Sequence, residues 1–77
     1  MSKRTKLFAK LKNNPKDATF AQIEKLLVGE GFVLDRISGS HHTFKKGTTI
    51  FVLPVHKNRV KTVYVKRVIE IIEEIAV

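Results

Sequence analysis

The chain has 77 residues, a net charge of +8 from 15 Lys/Arg against 7 Asp/Glu, and no cysteine. This length supports one small domain, which excludes a two-lobed enzyme or a deep cofactor pocket. The lack of cysteine excludes disulfides, Cys-ligated zinc and a thiol nucleophile, and no apolar run approaches the ~20 residues of a membrane span.

The charge is unevenly distributed along the chain. All basic residues lie at or before Arg67, whereas Glu70, Glu73 and Glu74 follow it. Such a basic surface attracts polyanions by counterion release, so nucleic acid is the favoured partner. A membrane is disfavoured because no long amphipathic helix has a wholly basic face. With no apolar segment of a secretory signal at the N-terminus, we expect a cytoplasmic protein.

Two helices are predicted before any strand. The first spans residues 3–12, where Leu7, Phe8 and Leu11 form an apolar stripe among lysines, and Asn13-Asn14-Pro15 ends it. It either packs loosely on the domain or serves as a basic arm.

The second helix, predicted over residues 20–30, is better specified. Thr19 is its N-cap and Gln22 completes a capping box, while Gly31 supplies a positive φ just past its end. Its apolar face consists of Phe20, Ile23, Leu26 and Leu27.

Three strands and a third helix follow. The strands are predicted over residues 32–37, 41–45 and 48–53. Ser38-Gly39-Ser40 and Lys46-Gly47 are the turns, and Pro54 ends the ladder because it cannot donate to it. After a basic loop, Thr62 caps a helix at about residues 63–75. Its apolar stripe is Val65, Val68, Ile69, Ile72 and Ile75. The order α-α-β-β-β-α predicts an α+β fold, a three-stranded antiparallel sheet with helices on one face.

Three histidines mark the candidate site. Because successive strand residues point to opposite faces, Phe44 and His42 should face the helices, and His41 should share the open face with Thr43 and Lys45. With the turn near Lys46-Gly47, His41 lies near Leu53. His56 then emerges three residues beyond, at the same end of the sheet. The candidate phosphate-binding cations are Lys45, Lys46, Lys57, Arg59 and Lys61.

This set of side chains suits RNA cleavage without a metal. One group must take the proton of a ribose 2′-OH, and another must protonate the leaving 5′-oxygen. Histidine can fill either role, and Lys or Arg can stabilise the charge of the phosphorane-like transition state. RNA is favoured over DNA because only RNA carries its own nucleophile.

Other interpretations of these residues remain open. Adjacent strand histidines are often surface or core residues, and lysine clusters are often solvated faces. A metal site is disfavoured because Asp35 is the only nearby carboxylate, and no cofactor is expected. Ser40 has no nucleophile-elbow motif and no buried acid to orient a base.

Three segments resemble the HicA (YcfA-like) family of mRNA-cleaving toxins. They are Gly39-Ser40-His41-His42-Thr43-Phe44, Leu53-Pro54-Val55-His56 and Tyr64-Val65-Lys66. The resemblance covers roughly Thr19 to Ile75. It makes residues 19–77 a HicA-like domain and residues 1–18 a basic N-terminal helical extension.

The resemblance implies a fold, an activity and a partner. The fold is that of a double-stranded-RNA-binding domain, with the extra N-terminal helix added. The activity is ribosome-independent endoribonuclease cleavage of mRNA, and a HicB-type antitoxin masks the active face. The resemblance assigns the catalytic role to His41, with His42 and His56 in reserve.

Two further function classes stay open. A non-catalytic RNA-binding module would bind RNA in a salt-dependent way without cleaving it. Base stacking on the open sheet face is disfavoured because only Phe51 or Tyr64 could serve. A structural protein whose basic face docks an acidic chain would bind protein tightly and RNA negligibly.

Overall fold

The structure, a computed structural model, describes the backbone of residues 3–76 and the side chains of residues 5–75. The elements are helix α1 (Lys3–Asn13), helix α2 (Phe20–Gly29), strands β1 (Val33–Ser38), β2 (His41–Lys46) and β3 (Thr49–Pro54), and helix α3 (Thr62–Ala76). The strands form one antiparallel sheet in the order β1-β2-β3. The predicted α+β class, the element order and the extra N-terminal helix are confirmed.

Helix α2 begins and ends as the sequence predicts. The Thr19 hydroxyl accepts a hydrogen bond from the Gln22 amide, and the Gln22 side chain accepts one from the Thr19 amide, which completes the capping box. Gly31, with a φ of 98°, lies just beyond the C-cap Glu30. This fixed start of α2 matters for the site because the loop after β3 is hydrogen-bonded to it.

One core holds the helices to one face of the sheet. Phe44 and Leu53 from the sheet are fully buried, as are Ile23 and Leu27 from α2 and Val65 from α3. The predicted apolar faces of α2 and α3 are therefore confirmed. On the opposite face of the sheet, Val33, Ile50 and Val52 are exposed. Among residues 3–76, no helix is long and apolar enough to cross a membrane.

The register of the sheet differs from the prediction by one residue. The loop between β2 and β3 consists of Gly47 and Thr48, not Lys46 and Gly47, so His41 lies opposite Pro54 rather than near Leu53. Gly47 has a φ of 60°, and a type II′ turn takes glycine at its first central position. Lys46 therefore remains in the strand.

A β-bulge interrupts β1, whose apolar residues do not alternate regularly in the sequence. Leu34 pairs with Phe44 and Arg36 pairs with Thr43, which leaves Asp35 as an extra residue. The bulge resets the alternation, so apolar residues before and after it do not follow one period of two.

Helix α1 packs on the domain through one buried side chain. Leu11 belongs to the core, and Leu7 and Phe8 are partly buried against it. The Lys12 ammonium forms an ion pair with the Glu73 carboxylate of α3. Helix α1 is therefore a layer of the same core rather than a detached arm.

Candidate active site

The Gly39-Ser40 turn sets the start of β2, where the two adjacent histidines, His41 and His42, lie. Gly39 has a φ of 57°, a left-handed conformation that favours glycine, and the two-residue loop brings Ser38 directly opposite His41. His41 is exposed on the open face of the sheet. Among the described residues, no side-chain hydrogen bond to the His41 ring is formed. Its imidazole is thus accessible to a substrate.

His42 has a different environment on the opposite face. Its ring lies 4.6 Å from the Phe20 ring, centroid to centroid and tilted by 50°, and its Nδ1 lies 3.2 Å from the Ser40 carbonyl oxygen. In the tautomer with a proton on Nδ1, this nitrogen donates to the carbonyl. His42 is half-buried and shares its face with the buried Phe44, as the alternation predicts.

His56 lies in a tight hairpin, in the segment that the sequence predicted as a basic loop. The His56 amide donates to the Arg59 carbonyl at 3.0 Å, and the Arg59 amide donates to the His56 carbonyl at 2.8 Å. Lys57 and Asn58 between them have φ values of 51° and 62°, as a type I′ turn requires. Only Asn58 signals this turn in the sequence, since asparagine tolerates a left-handed conformation. We call residues 56–61 the basic hairpin.

The basic hairpin is hydrogen-bonded to the segment that starts α2. The Phe20 amide donates to the Asn58 carbonyl at 2.9 Å, and the Val60 amide donates to the Ala18 carbonyl at 3.0 Å. The Arg59 guanidinium donates through Nη1 to the Asp17 carbonyl at 2.9 Å. These bonds fix the hairpin against the domain, although its side chains are largely exposed.

A cavity of about 480 Å³, the hairpin cavity, opens beside the basic hairpin. Its charged and titratable lining residues are Asp17, His56, Arg59 and Lys61, together with Thr62 at the start of α3. The sequence did not single out Asp17, because a lone exposed aspartate carries no motif. An imidazole and two cations around an open cleft make it suitable for a phosphate group.

His41 and the basic hairpin lie at the same end of the sheet. Pro54 is opposite His41, the Val55 amide donates to the Ser40 carbonyl at 2.8 Å, and His56 follows Val55. Opposed strand residues have Cα atoms about 5 Å apart and each further residue adds at most ~3.6 Å, so the His41 and His56 Cα atoms lie within roughly 13 Å.

Two of the five candidate cations lie elsewhere. Lys45 and Lys46 follow His41 by four and five residues along β2, which puts them about 13 and 17 Å from it. Lys45 forms an ion pair with Asp35 at 3.3 Å, and Lys46 donates to the Glu30 carbonyl. The structure thus brings Lys57, Arg59 and Lys61 near His56, whereas Lys45 and Lys46 lie towards the other end of β2.

The donor set for a metal ion is poor. Across the part of the chain that the structure describes, no group of three or more His, Asp or Glu side chains is arranged to hold one. The chemistry available from these residues is proton transfer by imidazole and charge stabilisation by Lys and Arg.

Comparison with known proteins identifies a family for this chain. The profile of a family described as HicA toxin of bacterial toxin–antitoxin matches residues 20–73, which include both histidine segments and most of α3. No curated protein and no solved structure matches the chain. The match begins after α1, so this helix lies outside it.

Proposed function

Since the chain belongs to the HicA toxin family of bacterial toxin–antitoxin systems, we propose that it is an endoribonuclease that cleaves mRNA by metal-independent histidine acid–base catalysis. Membership of the family gives the toxin role and implies an antitoxin partner. The observation that supports the nuclease most directly is an exposed imidazole, His41, at the same end of the sheet as the basic hairpin.

In the proposed reaction, the ribose 2′-oxygen attacks the adjacent phosphorus and the bond to the 5′-oxygen breaks. One imidazole removes the 2′-OH proton and a second group protonates the 5′-oxygen, which leaves a 2′,3′-cyclic phosphate and a 5′-hydroxyl. His41 takes one of these roles and His56 is the candidate for the other. Lys57, Arg59 and Lys61 stabilise the negative charge of the transition state.

We assign His42 a supporting rather than a catalytic role. Its ring is held between Phe20 and the Ser40 carbonyl, so its freedom to approach a substrate is restricted. By holding the Ser40 carbonyl and the start of β2, it positions the neighbouring His41.

The proposed setting is the cytoplasm, where mRNA is the substrate and cleavage does not require the ribosome. A HicB-type antitoxin would cover the exposed His41 face and the basic hairpin. Charge complementarity favours an acidic antitoxin surface there, because the described cations outnumber the single carboxylate of Asp17 around the hairpin cavity.

The test compares wild-type protein with His41→Ala and His41→Gln. Purified wild type should cleave a long RNA in the presence of a chelator, and both variants should lose at least ~100-fold in rate, the range for one general acid or base. Lys25→Ala, an exposed change on α2, is the control. Full cleavage by folded His41→Ala protein would contradict the assignment of His41.

One observation favours a second function, a non-catalytic RNA-binding module. The His41 ring has no orienting hydrogen bond within the described residues, whereas catalytic histidines are commonly held by one. Under this alternative, wild type binds RNA without cleaving it, and loss of cations weakens binding far more than loss of His41. The binding-module alternative would be established if wild-type protein bound RNA but produced no 2′,3′-cyclic phosphate ends on incubation with it.

A further inference from the structure

A second cavity of about 420 Å³ lies between the end of α1 and the start of α2. Its lining includes two exposed cations, Lys10 and Lys16, and the side-chain amides of Asn13, Asn14 and Gln22. We call it the α1 cavity. Its cations lie before residue 20, outside the stretch that the HicA profile matches.

The α1 cavity and the hairpin cavity meet at one residue. Asp17 lines both of them, and the Arg59 guanidinium donates to its carbonyl across the boundary at 2.9 Å. The two openings are therefore adjacent, and we call them together the groove: His56 and Lys61 lie at one end, Asp17 and Arg59 at the boundary, and Lys16 and Lys10 at the other end.

The side chains that line the groove suit a polyanion. Cations line both cavities, and in the α1 cavity the amides of Asn13, Asn14 and Gln22 can donate further hydrogen bonds. The Gln22 Oε1 already accepts from the Thr19 amide at 2.9 Å, so its NH₂ group is the part left to face a ligand. Of the described residues that line the two cavities, Asp17 alone is acidic.

The position of α1 is fixed, so the groove is part of the fold. Leu11 is buried in the core, and Lys12 pairs with Glu73 on α3, whereas Lys10 and Lys16 remain exposed. Helix α1 thus holds Lys10 beside the start of α2, and Lys16 lies in the short loop between the two helices.

We propose that this groove binds the single-stranded RNA that flanks the cleaved phosphate, with Lys10 and Lys16 as a phosphate subsite remote from the histidines. The inference rests on the proposed function and extends it, since it makes α1 a determinant of how long an RNA the protein grips. Asp17, in the middle of the groove, weakens binding and limits retention of the product.

The experiment measures the affinity of uncleavable 2′-O-methyl oligonucleotides by fluorescence anisotropy. Single-strand sites on small domains span about 4 to 16 nucleotides, so probes of about 4 and about 12 nucleotides separate a short site from an extended one. Lys10→Glu/Lys16→Glu is compared with Lys6→Glu/Lys25→Glu, which makes the same change in net charge at exposed positions that line neither cavity.

Relative to the control, the Lys10→Glu/Lys16→Glu variant should lose at least ~10-fold in affinity for the longer probe. For the shorter probe, the two variants should differ in affinity by less than ~2-fold. Asp17→Asn should raise affinity for the longer probe by about 2- to 5-fold. Circular dichroism and thermal melting of all variants should match wild type, because the substituted lysine side chains are exposed.

Three outcomes would overturn the inference. The first is an equal loss of affinity in the groove and control variants, which would show that net charge alone accounts for the loss. The second is failure of wild type to prefer the longer probe. The third is that a polyglutamate peptide binds as tightly as RNA and that its affinity depends equally on Lys10 and Lys16, which would make the groove a protein-binding site.

The same proteins separate this inference from the nuclease. If wild type cleaves RNA and the groove and control variants behave alike, the nuclease stands and the groove is rejected. If the length-dependent loss is observed in a protein that never cleaves RNA, the groove stands and the nuclease is rejected.

Discussion

At the scale of single residues, His41 and His42 are adjacent in the chain but occupy different environments. The alternation of β2 directs His41 to the open face and His42 towards the helices, where Phe20 contacts its ring. His41 is therefore exposed away from the core, whereas His42 packs against Phe20, which is itself partly buried against the core. Substitutions at the two positions should separate these effects.

We expect His42→Ala to lower the free energy of unfolding by about 1–2 kcal/mol, because it removes an aromatic contact and a hydrogen bond to the Ser40 carbonyl. His41→Ala should change it by less than about 0.5 kcal/mol, as is usual for an exposed position. Urea denaturation provides both values. Below its melting transition, His42→Ala should retain cleavage within about 10-fold, because its role is positional.

The comparison variant is Phe20→Leu, which removes the ring contacts with His42 and Phe44 and leaves both histidines. It should reproduce most of the stability loss of His42→Ala. If His42→Ala were as stable as wild type yet lost cleavage as completely as His41→Ala, the catalytic assignment would move to His42.

At the scale of elements, the sequence was sufficient wherever one local signal determined the structure. The capping box at Thr19 set the start of α2, and the stripe on α3 identified its buried face. The sequence was insufficient where a local irregularity of the backbone determined which side chains face the core. The bulge at Asp35 shifts a strand's phase without leaving a residue signature, because the extra residue is an ordinary aspartate.

The candidate site shows the same division. Alternation separated His41 from His42, and the strand order placed His56 at the same end of the sheet. The distance of Lys45 and Lys46 from His41 was missed, because residues close in sequence are far apart in space when the strand between them is extended. The basic hairpin was missed because Asn58 is the only signal of its turn in the sequence and its hydrogen bonds to residues 17–20 are long-range.

Helix α1 provides a test of whether residues 1–18 are an extension or part of the core. Leu11 is 2% exposed, so Leu11→Ala should lower the free energy of unfolding by roughly 2–4 kcal/mol. Lys12→Ala breaks only the exposed pair with Glu73 and should cost less than about 1 kcal/mol. Urea titration of both variants measures the two effects.

The unfolding should also remain a single transition in wild type, because α1, α2 and α3 share one core. A Leu11→Ala protein as stable as wild type would show instead that α1 is dispensable for the fold. Residues 19–77 would then be the folding unit, with residues 1–18 attached to it.

At the scale of the whole molecule, the net charge of +8 alone would attract RNA from any direction. A field of this kind raises the association rate but does not select a face. Selection requires that particular cations contact phosphates in the bound state. Net charge and local contact can be distinguished because the chain offers one lysine pair on the basic hairpin and another at the end of β2.

Lys57→Ala/Lys61→Ala and Lys45→Ala/Lys46→Ala each remove two positive charges, so their effects on the overall field are equal. On single-stranded nucleic acid, the slope of log affinity against log salt falls by about 0.7 for each phosphate that a cation no longer neutralises. We expect a decrease of about 1.4 in the slope for the first pair, which belongs to the basic hairpin, and much less for the second.

Dissociation constants of an uncleavable oligonucleotide over a salt series provide both slopes. Equal decreases would mean that RNA also contacts β2 as far as the β2–β3 turn. Unchanged slopes for both pairs would mean that net charge, rather than the basic hairpin, is what brings RNA to this protein.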